Sequence, residues 1–219
     1  MINFPDSFDS TTRQLPLDNL GQSGAVAAQK LADSGYEVRM GLTPELADRI
    51  TVMSQEPAIR EFCPRDSGER FTDRAAAEKW LAKKRAVFLL FKKEADGSLI
   101  LAGYGWSGAA SSSHVPSGAA TFAVRIGEAG QGHGLAAPFS WLIVAASAVI
   151  YEAADFWLET WASNGAAVHV YHKIGFETAA EQADERPTTL GSEKIPDTRV
   201  YMSLTNDLLP ARPGTPPAV

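Results

Sequence analysis

Two stretches of the 219-residue chain bring residue types together at spacings that chemistry uses. The first, Val124-Arg125-Ile126-Gly127-Glu128-Ala129-Gly130-Gln131-Gly132-His133-Gly134-Leu135-Ala136, joins a strand pattern to a helix pattern through glycines. At a helix N-terminus several backbone N–H groups lack an intrahelical partner and the helix dipole is positive. Glycines there let an anion approach the bare backbone, and phosphate is the natural ligand. The glycines alone do not separate that reading from a tight strand-to-helix connection that binds nothing. Spacing does speak against two better-known phosphate loops. No Gly-Lys-Ser or Gly-Lys-Thr ends the turn, and a dinucleotide fingerprint needs a third glycine where the chain continues Gly134-Leu135-Ala136-Ala137-Pro138.

The second stretch, Leu158-Glu159-Thr160-Trp161-Ala162-Ser163-Asn164-Gly165-Ala166-Ala167-Val168-His169-Val170-Tyr171-His172-Lys173-Ile174-Gly175-Phe176, is again strand to helix, with Asn164 placed to cap the helix. It carries two groups suited to moving protons. A phenol such as Tyr171 has a pKa near 10 and arrives protonated at neutral pH, while a carboxylate such as Glu159 accepts. From the residues alone, Tyr171 reads first as a helix tyrosine packed with Ala167 and Ile174 on one stripe. Alternation points Glu159 away from Leu158 and Thr160, which also suits an exposed or salt-bridged strand residue.

Taken together, the two stretches resemble the GNAT superfamily of N-acetyltransferases. Gln131-Gly132-His133-Gly134-Leu135-Ala136 is similar to its Gln/Arg-x-x-Gly-x-Gly/Ala pyrophosphate loop. Asn164, Ala167, Tyr171, Lys173, Gly175 and Phe176 fit its Asn-x-x-Ala…Tyr-x-Lys-x-Gly-Phe signature. The match covers roughly residues 119–176, and the stretch from Leu158 to Asn164 resembles the branch that acetylates ribosomal-protein N-termini. The resemblance implies an α/β (α+β) fold with a mixed, mostly antiparallel central sheet, helices on both faces and a V-shaped splay between two central strands. It implies acetyl-CoA as acetyl donor and direct transfer to an amine acceptor.

Residue by residue, it places the CoA pyrophosphate on the loop formed by Gln131, Gly132, His133, Gly134, Leu135 and Ala136, with His133 at a variable, solvated position. The main-chain groups of Val124 and Ile126 would pair with the pantetheine arm like an added strand, and Asn164 would contact that arm while also capping its helix. Tyr171 takes the position of the acid that protonates the CoA thiolate. Glu159 takes that of a base acting through water, and Trp161 stands where the ribosomal branch has an arginine. A base is useful because, at a lysine-like pKa of about 10.4, only on the order of a thousandth of an amine is neutral near pH 7.4. A CoA-binding regulatory module that has lost the chemistry would share the same loop. An acetyltransferase acting on aminoacyl-tRNA would need a basic face.

The composition bounds these readings. With 45% hydrophobic and 21% charged residues the chain is of ordinary globular type. It has 26 acidic against 20 basic residues, a formal charge of −6, which disfavours a nucleic-acid partner and mildly favours a cationic amine acceptor. The single Cys63 excludes an intramolecular disulfide. His114, His169 and His172 have no partners at metal-ligand spacing. No segment has the roughly 18 unbroken apolar residues of a membrane span, and no basic start precedes an apolar run, so a cytoplasmic protein is expected. Oligomeric state is not legible, although homodimers occur often among soluble proteins.

The elements that must position these residues follow from pattern. Residues 1–34 read as a polar arm in which only Gly24 to Ala32 could form a short helix, and 209–219 as a Pro-rich tail, leaving a single domain over 35–208. Within it the sequence predicts a strand at Tyr36–Met40, a helix capped by Thr43, and a helix from Asp73 to Arg85. A hairpin then turns at Asp96-Gly97, and a strand runs from Ala119 to Ile126. A long helix carries Leu135, Phe139, Leu142, Ile143, Ala146 and Ile150 on one stripe. A strand at Phe156–Thr160 and a helix from Asn164 to Ile174 follow. Loops are expected at 108–118 and 183–196, with a last strand near Arg199–Leu204.

Overall fold

All six residues from Ala86 to Phe91 are buried, which a strand permits only when both faces of its sheet are covered. The computed structural model, which describes residues 13–14, 20–82, 85–109, 119–151, 153, 155–188 and 193–204, shows that cover. Ala86, Phe88 and Leu90 point into one apolar layer; Val87, Leu89 and Phe91 point into another. Segments 1–12, 15–19, 110–118 (with His114), 189–192 and the 209–219 tail lie outside the described residues.

In chain order the elements are β1 (Arg13–Gln14), α1 (Gly21–Asp33), β2 (Tyr36–Met40), α2 (Pro44–Ser54), α3 (Pro57–Phe62), a π-helical turn at Asp66–Arg70, and α4 (Arg74–Leu81). There follow β3 (Ala86–Lys93), β4 (Leu99–Ala109), β5 (Ala120–Ile126), α5 (Ala136–Tyr151), β6 (Phe156–Trp161), α6 (Gly165–Lys173), β7 (Glu177–Pro187) and β8 (Lys194–Leu204). The strands form one sheet in the order β1-β2-β3-β4-β5-β6-β8-β7, antiparallel throughout except where β5 meets β6. The mixed, mostly antiparallel sheet with helices on both faces is the one expected. α1, α5 and α6 lie on one face; α2, α3 and α4 lie on the other.

Three local expectations are corrected. The segment read as an arm contributes α1, which packs along α5 and puts Leu20 and Leu31 into the core. The signal was in α5: its residues are apolar nearly all round, and a helix of that kind needs cover on its second side. Gly24 of α1 sits so close that an added Cβ would lie 3.3 Å from the Ala145 methyl. Second, the helix expected over Asp73–Arg85 ends at Leu81, and α3 and the π-helical turn were not foreseen because each is too short to show a period. Third, the loop expected over 183–196 is largely the β7–β8 hairpin. Most of β7 is exposed on both faces, so it carries no alternation of apolar residues to read.

The remaining elements form for the local reasons read in the sequence. The Thr43 Oγ1 accepts from the Leu46 N–H (3.4 Å) and Asp73 from the Ala76 N–H (2.8 Å), capping α2 and α4. Gly105 of β4 lets α5 lie close, since a Cβ there would come within 2.5 Å of the Ile143 Cδ1. Replacing Leu31 by Ala should lower unfolding stability by about 2–5 kcal/mol, the cost of truncating a core leucine. A urea titration checks it; a change near zero would mean that α1 is an arm after all.

Candidate active site

β5 and β6 are parallel partners at only two positions, Ala120 with Phe156 and Thr121 with Trp157. Beyond those pairs β5 continues to Ile126 and β6 to Trp161 without pairing, and the gap between them is the expected V. It opens into a cleft of about 940 Å³. Val124, Ile126, Gln131, Ala136, Glu159, Asn164 and Tyr171, all singled out in the sequence, line it. Gly132, His133 and Gly134 are exposed on the loop that leads into α5, and Leu135 is buried in the core beneath them.

That loop has the electrostatics of an anion site. α5 makes its first helical bond from the Phe139 N–H to the Leu135 carbonyl (3.0 Å). Among the described residues, none of the N–H groups from Gly132 to Ala137 makes a well-formed hydrogen bond, and Pro138 has none to leave unpaired. Gly132 (φ 77°) and Gly134 (φ 68°) take left-handed conformations that only glycine adopts without strain, and nothing stands within 4 Å of where their Cβ atoms would be. The loop is held from behind: Glu56, at the start of α3, accepts from the Glu128 N–H at 2.7 Å. The His133 ring rests 6.3 Å from that of Tyr36.

The open edge of β5 presents its carbonyls to the gap. Two side chains of this chain use them: Arg125 Nη1 donates to the Val124 oxygen (2.9 Å) and Gln131 Nε2 to the Ile126 oxygen (3.3 Å). Such an edge is the kind that an extended ligand joins as an extra strand. Across the gap the Asn164 side chain accepts from the Ala167 N–H (3.2 Å), so its capping role is realised.

Tyr171 is 7% exposed, its ring edge-on to Phe122 at 5.8 Å and tilted against Phe176 at 6.2 Å. Its hydroxyl makes no hydrogen bond among the described residues. Burial pushes its pKa up to about 12, against the pull of the Arg125 guanidinium. Glu159 shares the cleft face with Trp157 and Trp161, and its carboxylate accepts from Arg199 Nη1 at 3.4 Å. Arg199 also reaches Asp184 (3.2 Å) and lies over the Trp161 ring at 3.6 Å. The hairpin that brings Arg199 is tied to α3 by the buried Arg186, which pairs with Asp197 (3.0 Å) and donates to the Glu61 carbonyl (2.7 Å).

One cluster was missed entirely. Asp66, in the π-helical turn, is fully buried and receives Arg125 Nε (2.8 Å), Arg70 Nη1 (2.9 Å) and the Tyr104 hydroxyl (3.1 Å). Burial works against the charge on Arg125, but the Asp66 carboxylate outweighs it and holds the guanidinium above its ordinary pKa. Burial also pushes the Cys63 thiol up, so this cysteine is a poor nucleophile. The only early signal was Arg125 itself, a charge on an otherwise apolar strand. No group of three or more His, Cys, Asp or Glu residues able to hold a metal ion occurs among the described residues. Among them also, no helix is long and apolar enough to cross a membrane.

With this geometry in view, solved structures decide the architecture. YncA of Salmonella typhimurium, with its cofactor acetyl-CoA, superposes with a TM-score of 0.61 at 17% identity, over 83% of this chain and 99% of its own. Spermidine N-acetyltransferase from Vibrio cholerae, in complex with CoA and spermine, gives 0.62 at 19% identity, over 79% and 96%. An acetyltransferase of the GNAT family from Streptococcus pneumoniae gives 0.57 at 18%, over 78% and 99%. The chain has the GNAT fold. No protein-family model and no curated protein sequence matches it. Within the GNAT fold, the β5 edge left unpaired toward β6 and the α5 N-terminus border one opening. Removing Asp66 by D66A leaves two guanidinium groups without their shared carboxylate and should destabilise the protein by about 3–5 kcal/mol. Thermal and urea unfolding check this, and a loss below about 1 kcal/mol would deny the cluster its structural weight.

Proposed function

We propose that the protein is an acetyl-CoA-dependent N-acetyltransferase that passes the acetyl group directly to a primary amine, of a small molecule or of a peptide or protein N-terminus, within a ternary complex. The observation that carries this reading is Tyr171: a protonated phenol, unpartnered among the described residues, in the cleft that opens between β5 and β6. The unbonded N–H groups at the start of α5 suit the pyrophosphate of CoA, and the edge of β5 at Val124 and Ile126 suits its amide-bearing pantetheine arm. To use that edge, the side chains of Arg125 and Gln131 must give up the two carbonyls they now hold. When bound, acetyl-CoA supplies a thioester whose sulfur leaves as a thiolate.

Tyr171 Oη then donates the proton that thiolate needs, and burial among Phe122 and Phe176 keeps the phenol protonated until that moment. Glu159 accepts the proton the amine loses, through water, a role supported by the likeness of the Leu158–Asn164 stretch to the branch acting on ribosomal-protein N-termini. Arg199 fixes the direction of the Glu159 carboxylate by bridging it to Asp184.

Y171F should lower kcat by about 10²-fold or more while leaving the Kd for acetyl-CoA within about twofold. A variant that turns over at the unmodified rate would remove Tyr171 from the mechanism. An acid with its pKa at about 12 stays protonated across the working range, so kcat/KM should rise with pH as the acceptor amine loses its proton and should show no descending limb below about pH 10. A descending limb near pH 8 would assign the acid to another group.

A further inference from the structure

The whole chain carries a charge of −6, yet the wall of the cleft beneath β4 and β5 is cationic. Two guanidinium groups, Arg70 and Arg125, share the single carboxylate of Asp66, which leaves that cluster with an excess positive charge. Beside it Arg70 lies 4.8 Å over the Trp80 ring, and Arg85 lies 3.8 Å over the same ring and 5.1 Å over that of Trp106. Trp80 and Trp106 meet edge to face at 5.0 Å. All five of Arg70, Arg85, Arg125, Trp80 and Trp106 line the cleft. Burial and the neighbouring charge of Arg70 lower the pKa of Arg85 to about 10, as expected where like charges are gathered away from water. The Trp106 indole N–H is buried without a hydrogen-bond partner among the described residues. A buried donor left unpaired is costly, and a cation-rich wall costs more still; an anionic group seated on this wall would relieve both.

The position of the wall says which substrate it would serve. Residues 122, 124 and 126 of β5 pack into the layer beneath α5, whereas Arg125 points to the opposite face, the face that Glu159, Trp157 and Trp161 share across the gap. The wall therefore lies on the side of the proposed base, away from the α5 N-terminus. We infer that the acceptor amine carries a carboxylate of its own, seated against Arg70, Arg85 and the Trp106 N–H, so that the substrate class is an amino acid and not a polyamine. Planar guanidinium groups match the geometry of a carboxylate, and the tryptophan faces suit an apolar or aromatic body between the two charged ends. The stoichiometry at Asp66 carries the charge argument by itself. The inference rests on the acetyl-transfer reading of the same cleft, and it sets the local field against the cationic acceptor that net charge alone would favour.

The test measures CoA thiol release from acetyl-CoA with matched acceptors: phenylalanine against phenethylamine, γ-aminobutyrate against propylamine, and spermidine and O-phosphoethanolamine as further arms. For at least one pair, kcat/KM for the acid should exceed that for its decarboxylated twin by about 30-fold or more, the scale of a charge-assisted hydrogen bond, with spermidine near background. R70Q should shrink that ratio to within about threefold through the KM of the acid. W106F, which removes the N–H but keeps an aromatic ring, should shrink it in part, with acetyl-CoA affinity reporting that either variant is folded. Preference for a decarboxylated amine, for spermidine or for O-phosphoethanolamine would overturn the inference while leaving acetyl transfer standing. Thiol release that no amine raises above the amine-free rate would overturn the acetyl-transfer reading itself. Calorimetric titration of the same pairs into the CoA-loaded protein then decides the wall, and acids that bind no tighter than their twins overturn it too.

Discussion

Where β5 and β6 part after Thr121 and Trp157, the sheet gives up the backbone hydrogen bonds that continued pairing would provide. Unpaired backbone groups away from water are costly, so a strand edge of this kind survives only if other groups satisfy it or solvent reaches it. Arg125 and Gln131 satisfy two of its carbonyls from within the chain. Everything else at the site follows from that opening. α5 starts beside it, α6 brings Tyr171 to its floor, and the β7–β8 hairpin carries Arg199 to its rim. The divergence is sustained from outside the gap: α1 and the sheet enclose α5, and α5 in turn fixes where the glycine loop ends.

The cleft has two electrostatic characters, set by different physics. At the α5 end the positive potential comes from backbone N–H groups and the helix dipole, which carry no titratable charge and do not change with pH. On the opposite wall it comes from guanidinium groups, held in place by one buried carboxylate and by tryptophan rings. The first suits a diphosphate and the second a smaller, planar anion. Between them lies a phenol held protonated by burial. The two ends therefore differ in the source of their positive potential, and the chain's overall negative charge describes neither end.

The sequence made most elements along the chain and the glycine loop legible because each rests on local pattern. β3 shows a continuous apolar run, α5 a stripe, and Gly132 and Gly134 the backbone freedom that their positive φ angles require. The candidate site was legible to the same extent: seven of its lining residues were named from two stretches of chain. What escaped is non-local. Asp66 joins Arg125 across 59 positions and Tyr104 across 38, and no periodicity links a π-helical turn to two strands. α1 was legible only as a possible short helix at Gly24 to Ala32, because its own sequence is small and polar. Its place in the core is dictated by a helix more than a hundred residues away that needs a second cover. The exposed β7 strand escaped because hairpin pairing, and not burial, holds it.

The central claim is that this opening in the sheet is built for CoA. The most direct test is calorimetric titration of the protein with acetyl-CoA, beside CoA and ATP. Saturable one-to-one binding of both CoA compounds and none of ATP is expected, since the glycine loop lacks the lysine of a triphosphate site and the proposed pairing of the β5 edge needs a pantetheine arm that ATP does not have. No binding of acetyl-CoA at millimolar concentration would contradict it, and would leave the glycine loop as a connection between a strand and a helix.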